Sequence, residues 1–305
     1  MNSIINDWFY VIKNCSVENT YKMAWAKAII ECCLESEDEI IHFDRISPKM
    51  FKYYWNQTIF FDLRQGSNPN KPPAVIQYVK EEIERYRELY GNKPEMFEKI
   101  GRKVDIDLKK ISSILIQDVS HRFLKTGTKK YPLYQLNRNR REITIPDPLI
   151  LKEYSDILFE LINFRWTQIA EGFNSAPRIS KKIKITDHGG IKRKSLSKFH
   201  KYLALSSKEC FICSKDLHGD ISIDHVIPYS YMYSDDLWNL VYTHKACNSK
   251  KSNRVVGEDV IQKLENRNNT LRYILEESKI KDVHYQELKL AIEENRLRKF
   301  WIAFK

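Results

Sequence analysis

Four soft metal ligands toward the end of the chain occur as two closely spaced pairs. The first pair is Cys210 and Cys213 in the segment CFIC, and the second is His244 and Cys247 in HKAC. Each pair fits a tight turn that directs two side chains at one ion, and a set of four suits a structural, tetrahedral zinc ion. The alternative is buried cysteines beside an incidental histidine, which two such pairs disfavour. His218 is the nearest other candidate for the fourth ligand.

Between these pairs, Asp224 and His225 stand side by side in SIDHVIPYS, shortly before Pro228. A histidine side chain titrates near pH 6.5 and can take a proton from water close to neutral pH. Asp224 and Asn248 offer a carboxylate and an amide oxygen, which are hard ligands suited to Mg²⁺ or Mn²⁺. These residue types suit a general base beside a divalent cation. A hydrogen-bonded structural histidine is the alternative for His225 alone.

Two short strands and a helix are predicted to position these residues. The segment DISIDHVIP alternates as a strand, NLVYTH predicts a second strand, and KACNSKKSNR predicts the start of a helix. Successive residues of a regular strand face opposite sides, so Asp224 and His225 share a site only where the strand ends or is distorted. Asn239 precedes the second strand, where its side chain is expected to fix the loop and orient His225. An ordinary turn asparagine is the alternative.

The segments CFIC, DHVIPYS, WNLV and CNSKKSNR resemble the HNH nuclease family, whose signature positions fall on Asp224 with His225, on Asn239 and on Asn248. The resemblance implies a zinc-stapled ββα-metal domain that hydrolyses phosphodiester bonds. It further implies His225 as general base, Mg²⁺ or Mn²⁺ held by Asp224 and Asn248, and a mainly structural Asn239. The likeness covers only residues near 208–256. Asp224 replaces the family's first histidine, and His244 replaces a cysteine.

The rest of the chain is predicted to be helical. Amphipathic spacing predicts helices over TYKMAWAKAIIECCLE and AVIQYVKEEIERYRELYG, and one long helix over PLILKEYSDILFELINFRW. After Gly257 the predicted buried stripe consists of Val260, Leu264, Leu271, Ile274 and Leu275. We therefore predict an α+β fold: a mostly α-helical accessory or recognition domain over 1–177, a basic linker over 178–207, the HNH ββα-metal nuclease domain over 208–256 and a C-terminal helical extension over 257–305.

The charge balance of the chain favours an anionic partner. The 305 residues carry a formal net charge of +11, although a basic surface also serves solubility alone. Between Arg178 and Lys201, nine basic residues stand against Asp187 alone, around two glycines. This run is either a flexible, solvated linker or a segment that contacts phosphates. The candidate nucleic-acid-binding residues are Lys192, Arg193, Lys194, Lys250, Lys251 and Arg254.

The chain shows neither a long apolar run nor a signal-peptide core at its start, so the sequence predicts a cytoplasmic protein without a membrane partner. The six cysteines are predicted to be reduced. The helical segment YKMAWAKAIIE and the stretch from INFRW to NSAPRISKKI resemble, more weakly, the accessory regions of HNH endonucleases in bacterial restriction and anti-phage defence, which implies a role in target recognition, dimerisation or control. DNA is the expected substrate. A homodimer is expected because one HNH site cuts one strand per event, and a partner protein of a defence system is a further expectation. Two rivals stay open: a zinc-stabilised nucleic-acid-binding module without catalysis, and an RNA-cleaving toxin.

Overall fold

The computed structural model describes residues 3–68, 70–100, 103–185, 187, 193–251, 254 and 256–304. The chain divides into two compact units: unit 1 is Met1–Asn174 with Ile179–Ile191, and unit 2 is Ser175–Arg178 with Lys192–Lys305. Helices dominate the described residues, and the strands form three small antiparallel sheets. The predicted α+β class is therefore confirmed. Within the described ranges, no helix has the length and apolar character that a membrane span needs.

The described part of unit 1 is built mainly from helices. Its elements are α1 Ser3–Asn14, α2 Tyr21–Glu35, β1 Ile40–His42, α3 Phe43–Phe61, α4 Ala74–Tyr90, α5 Phe97–Ile100, α6 Leu108–Gln117, α7 Val119–Arg122, β2 Lys125–Thr126, β3 Lys129–Lys130, β4 Gln135–Asn137, β5 Glu142–Thr144, α8 Pro148–Glu153, α9 Ser155–Glu171 and α10 Ile179–Ile183. Strands β1, β5 and β4 form one sheet, and β2 pairs with β3.

Helix α2 lies at the centre of unit 1. Apolar residues occur on every side of it, which is typical of a helix surrounded by protein. The buried Lys27 of this helix needs a counter-charge, and its Nζ lies 2.5 Å from Asp187 Oδ1 and 3.3 Å from Asn163 Oδ1. The amide of Asn163 also donates to Asp187 (2.9 Å). Asp187, the acidic residue of the basic run, is thus tied to unit 1.

Two parts of the chain differ from the predicted elements. The single helix predicted from Pro148 onward is broken at Tyr154, so that α8 and α9 are separate. The range predicted as a linker contains short helical segments with buried apolar residues, while residues 193–196 form no helix or strand. Ile179 and Ile183 are buried from α10, and Phe199 is buried from a 3₁₀ turn over Ser197–Phe199. The two central glycines lie outside the described residues.

Unit 2 contains the predicted strand, strand and helix. Its described elements are α11 His200–Ser206, β6 Ile221–His225, α12 Tyr229–Met232, a 3₁₀ turn over Leu237–Asn239, β7 Leu240–His244, α13 Lys245–Lys251, α14 Glu258–Glu277, α15 Val283–Glu293 and α16 Arg296–Phe304. Strands β6 and β7 are antiparallel, with Ile221 opposite His244 and His225 opposite Leu240. The C-terminal helices share one apolar core with the strands and with α11.

The stripe predicted for α14 is only partly right. Leu264, Leu271 and Leu275 are buried as expected, whereas Val260 and Ile274 are only half-buried. Ile261 and Asn268 occupy the buried face instead. The buried asparagine was not predicted because the pattern counted apolar residues alone. Its amide donates to the carbonyl of Trp238 at 2.9 Å, which satisfies a polar group at the entry to β7.

An acidic pair joins α15 to the loop before β7. Burial first, and then a hydrogen bond with the carboxylate of Asp236, raises the pKa of Glu287 to about 7. Asp236 is buried, and its Oδ1 lies 3.5 Å from Nη2 of Arg178. Arg178 also donates to the carbonyl of Met232 at 3.3 Å. Arg178, together with a proton on Glu287 at acidic pH, therefore reduces the repulsion between the two carboxylates.

We expect Glu287→Gln to reduce the pH dependence of the stability of unit 2. The folded-state pKa of Glu287, about 7, lies above the 4.5 of an unperturbed glutamate. Its protonated form therefore favours folding: this contribution is complete below pH 4.5, where the unfolded carboxyl is also protonated, and it is lost as pH rises through about 7. Glutamine keeps a donor for Asp236 and does not titrate. Between pH 4.5 and about 7 the melting temperature of the variant should fall less steeply than that of wild type.

Glu293→Gln provides the matched control, because Glu293 lies on the same helix with its side chain 51% exposed. Thermal melting of all three proteins over the pH series measures the difference. Parallel curves for wild type and Glu287→Gln would show that Glu287 is not protonated in the folded chain.

Candidate active site and metal centre

The first cysteine pair lies in a tight turn before β6. Ser214 N donates to Cys210 O, and Cys210 N donates to Lys215 O, each at 2.8 Å. Ser214 adopts a left-handed conformation with φ 56°, which reverses the chain after Cys213. The second pair is provided by His244 at the end of β7 and Cys247 in the first turn of α13. The hairpin and the helix thus meet at one cluster of ligands.

The four side chains have the spacing that tetrahedral zinc requires. Their ligand atoms all lie within 4.8 Å of one another. Nδ1 of His244 is 3.5 Å from Sγ of Cys213 and 4.0 Å from Sγ of Cys247. Zinc bonded to sulfur at about 2.3 Å and to nitrogen at about 2.1 Å separates such atoms by roughly 3.6 Å. The donor set Cys210, Cys213, His244 and Cys247 therefore fits a structural zinc ion.

The histidine ligand is oriented by a second contact. Nε2 of His244 lies 3.1 Å from the carbonyl of Asp216, and a carbonyl only accepts, so Nε2 carries the proton and Nδ1 is left for a metal. His218 contacts the same carbonyl through its own Nδ1 at 2.7 Å and packs against the ring of His244. His218 is outside the ligand set. The geometry favours His244, rather than His218, as the fourth ligand.

The thiols of this cluster differ in acidity. Burial opposes ionisation of Cys210, but backbone N–H groups, led by that of Cys213, outweigh it and lower its pKa to about 6. Burial, and then the neighbouring Cys213 and Cys210, raise the pKa of Cys247 to about 11. One thiolate is thus prepared by the backbone, while the crowded sulfurs together need a cation to hold their negative charge.

A separate cleft of ≈ 180 Å³ brings the predicted hydrolytic residues together. Asp224 and His225 reach it from the end of β6, and Asn248 reaches it from α13. Its charged lining also includes Lys251 from α13 and residues of two other segments, namely Arg193, Lys194 and Asp235. The cleft and the cysteine cluster share α13, so that the zinc ligands hold in place the helix that carries Asn248.

Asn239 controls how the chain leaves β6. Its amide Nδ2 donates to the carbonyl of Ile227, and its Oδ1 accepts from the N–H of Ile227, each at 2.8 Å. The backbone carbonyl of Asn239 accepts from Val226 N at 2.9 Å. This clamp turns the chain immediately after His225, which lets adjacent residues line the same cleft. Asn239 is fully buried and lies behind the cleft, outside its lining.

His225 is held by a carboxylate that the sequence did not identify. Its Nε2 lies 3.0 Å from Oδ1 of Asp235, and its ring meets the edge of Tyr229 with the centroids 5.3 Å apart. A carboxylate only accepts, so Nε2 carries a proton and Nδ1 becomes the basic nitrogen. Asp235 lies in the loop between β6 and β7. Loop residues have no regular periodicity, so the sequence does not show which way the side chain of Asp235 points. The adjacent acids Asp235 and Asp236 in this loop were its sole sequence signal.

Asp224 already has a cationic neighbour. Its buried Oδ2 lies 3.0 Å from Nζ of Lys251, which also donates to the carbonyl of His225 at 2.7 Å. The Nδ2 of Asn248 donates to Ser222 Oγ at 3.3 Å, and this bond does not use the amide oxygen. A carboxylate and an amide oxygen in one cleft are the donor chemistry that a hard divalent cation prefers. These residues fit such an ion.

The remaining candidate nucleic-acid contacts are divided between the cleft and the surface. The guanidinium of Arg193 lies 4.5 Å from the ring centroid of Tyr229, and Lys194 lines the cleft beside it. Lys250 and Arg254 are exposed and are not part of the lining. Lys192 lies outside the described residues. Among the described candidates, Arg193, Lys194 and Lys251 are therefore the three placed at the cleft.

Strands β6 and β7 and helix α13 meet at a Cys₃His cluster. Together they form a small ββα domain with a site for structural zinc. Residues 212–256 match the family described as HNH endonuclease, and this part of the chain is an HNH nuclease domain. The predicted resemblance is thereby confirmed. The match begins after Cys210 and leaves unit 1 and the C-terminal helices uncovered. Searches of curated proteins and of solved structures found no match to the chain.

We expect Cys213→Ser to lose the bound zinc and to destabilise unit 2, because structural zinc contributes directly to the free energy of folding. His244→Ala should also lower the zinc content, whereas His244→Cys should retain it, since four cysteines are an equally common zinc set. Elemental analysis of the purified proteins, together with thermal melting, measures both effects.

His218→Ala is the matched control, because it removes an imidazole that touches the cluster without belonging to the ligand set. It should keep one zinc ion per chain. Full zinc content in His244→Ala combined with loss in His218→Ala would contradict the ligand assignment.

Proposed function

We propose that the protein is a metal-dependent DNA endonuclease whose general base is His225. The observation that carries this proposal is the gathering of Asp224, His225 and Asn248 in one cleft, with His225 held by Asp235. A zinc-stabilised binding module needs only the cysteine cluster. It has no need for a buried carboxylate, an oriented imidazole and an amide side by side. The combination therefore favours hydrolysis over binding alone.

The proposed reaction is hydrolysis of the P–O3′ bond. His225 Nδ1 takes a proton from water, the water oxygen bonds to phosphorus, and the O3′ atom leaves and is protonated by solvent. The products carry a 5′-phosphate and a 3′-hydroxyl. Asp235 keeps the proton of the imidazole on Nε2, so that Nδ1 stays available. Asp235 acts through His225 and is a positioning residue.

The remaining residues of the cleft serve the substrate and the cation. Asp224 and Asn248 would hold Mg²⁺ or Mn²⁺, which supplies charge stabilisation at the phosphate and at the leaving oxygen. Arg193 and Lys194 line the same cleft and suit the phosphates on either side of the scissile bond. The amide clamp of Asn239 holds the chain that follows His225.

The biological setting belongs to the same proposal. The resemblance of the chain to defence nucleases supports a role in bacterial restriction or anti-phage defence, in the cytoplasm. One such cleft cuts one strand in each event, so cleavage of both strands requires a second protomer or a second cut. A homodimer follows from the first of these routes, and a partner protein is a further expectation of a defence system.

His225→Ala is expected to lower the rate of DNA cleavage by about 10²- to 10⁴-fold, because it removes the positioned general base. Folding and zinc content should not change, since His225 is not among the zinc ligands. Purified wild type and variant are incubated with plasmid, linear duplex DNA and RNA, with Mg²⁺ or without added divalent cation. Cleavage is followed on gels, and zinc is measured in parallel.

His218→Ala serves again as the control, because it removes a histidine of the same unit that does not line the cleft. It should cleave at the wild-type rate. Cleavage of RNA alone would assign the protein to the rival RNA-cleaving class. Binding of DNA without any cleavage by wild type would favour the binding-module rival, and an undiminished rate in His225→Ala would remove His225 from the mechanism.

Lys251→Met is expected to raise the affinity of the cleft for Mn²⁺. The ammonium lies 3.0 Å from Asp224 Oδ2 and so competes with a cation for the same carboxylate. A charge pair of this kind is worth on the order of 1 kcal/mol, which corresponds to a roughly fivefold lower Kd. Electron paramagnetic resonance of free Mn²⁺ during titration, in the His225→Ala background and without nucleic acid, measures the change.

Lys250→Met is the matched control, since Lys250 is exposed on the same helix and does not line the cleft. It removes an equal charge and should leave the Kd for Mn²⁺ almost unchanged. An equal fall in the Kd for Mn²⁺ in both variants would mean that Lys251 acts only through the net charge of the domain and not through its contact with Asp224.

A further inference from the structure

A basic groove lies between the two small hairpins of unit 1. Strands β2 and β3 are joined by a tight turn in which Gly127 has φ 59°, a conformation that favours glycine. Strands β4 and β5 are joined by the exposed turn that begins at Arg138. The groove measures ≈ 820 Å³, and we call it the hairpin groove; its polar lining includes Lys125, Lys130, Gln135 and Arg138.

The cations of the hairpin groove are not neutralised. No aspartate or glutamate is among its lining residues. In the part of the chain that the structure describes, no carboxylate forms an ion pair with Lys125, Lys130 or Arg138, and all three side chains are exposed. The nearby Arg122, by contrast, is paired with Asp118 at 3.0 Å. The groove therefore presents a positive charge that the protein itself leaves unmatched.

The pairing of β2 with β3 places like charges opposite each other, and a bound anion would reduce their repulsion. Lys125 is directly opposite Lys130 in the β2–β3 pair, and Thr126 is opposite Lys129. Like charges at opposed positions of an antiparallel pair destabilise it. Burial first, and then the charge of Arg138, lowers the pKa of His121 at the wall of the groove, with Arg122 and Lys125 adding to the effect. Basic residues of both hairpins therefore make the electrostatic potential in the groove positive.

The groove is held in a fixed shape by the core of unit 1. The hydroxyl of Tyr134, which lines it, donates to the carbonyl of Ser120 at 2.6 Å and accepts from Nε1 of Trp25 at 2.9 Å. Tyr131 stacks on Tyr10 with the ring centroids 5.2 Å apart. The wall of the groove at Tyr134 is thus anchored to the core, so a ligand does not need to order this part of the surface.

We propose that the hairpin groove is a binding site for the phosphate backbone of duplex DNA, separate from the cleft in unit 2. The choice of DNA rests on the proposed function. Exposed amides stand beside the cations: Gln135 lines the groove and Asn139 follows Arg138, whereas the amide of Asn137 is already bonded to Glu142 and to the N–H of Arg140. Arginine, asparagine and glutamine are the side chains that hydrogen-bond to both phosphates and base edges. The helical unit is thereby a DNA-binding unit.

The test compares binding of a short labelled DNA duplex by full-length proteins that all carry His225→Ala. In the groove variant Lys125, Lys130 and Arg138 are replaced by alanine, and anisotropy is recorded over a series of salt concentrations. Each lost phosphate contact flattens the slope of log K against log salt by about 0.9, so the slope should fall by up to roughly 2.7. Arg138→Lys, which keeps the charge, should retain the original slope.

A charge-matched control replaces Lys71, Arg87 and Lys99 by alanine. These residues are exposed in unit 1 and do not line the groove. Their loss should leave the slope almost unchanged. The control should melt at the temperature of the parent, and the groove variant should melt no lower, because it loses the repulsion between Lys125 and Lys130. Because the readout is binding by proteins without the general base, a failure of cleavage in the wild type would not alter this result.

Two results would overturn the proposal. Equal slopes for the groove variant and the charge-matched control would mean that the hairpin cations contribute only to the net charge of the chain. Weaker binding of an RNA hairpin with unchanged binding of duplex DNA would assign the groove to RNA instead. A steeper loss for duplex DNA than for either RNA or single-stranded DNA is the expected outcome.

Discussion

The turn that Asn239 imposes after His225 is the constraint on which the nuclease domain depends. A regular strand would place Asp224 and His225 on opposite faces of the β6–β7 pair. After one more backbone bond, from Val226 N to the carbonyl of Asn239, the amide of Asn239 binds both backbone groups of Ile227 in place of a partner strand, so the strand ends where the cleft begins. The buried position of Asn239 shields these two bonds from water. One side chain thus decides whether two others share a site.

The zinc cluster and this clamp work on opposite ends of the same hairpin. The cluster joins the start of β6 and the end of β7 to the first turn of α13, as the register of Ile221 with His244 shows. The clamp acts at the other end, where His225 is opposite Leu240. The residues between them have little freedom to shift, which suits a cleft assembled from a strand end and a helix.

Much of the nuclease domain was predictable because its determinants are local. Ligand pairs separated by two residues, an alternating strand that stops before Pro228, and a polar helix start are all visible over short windows. The contact of Asp235 with His225 was not predictable, since a loop residue has no periodicity that gives its direction. The break at Tyr154 and the buried face of α10 depend on tertiary packing, which overrides the pattern of charge. The hairpin groove was missed because its strands are only two or three residues long.

The ion pair of Lys251 with Asp224 has a consequence for how the domain endures a shortage of divalent cations. With the ammonium 3.0 Å from the carboxylate, the cleft holds its own counter-ion and is never left as a bare anion. On the proposed function, arrival of a divalent ion is an exchange in which one positive charge leaves Asp224 as two arrive. The displaced ammonium, still carried by α13, then becomes a second cation for the incoming phosphate. The supply of divalent ions would switch catalysis on and off, while zinc would act on the stability of the fold and not on the chemistry.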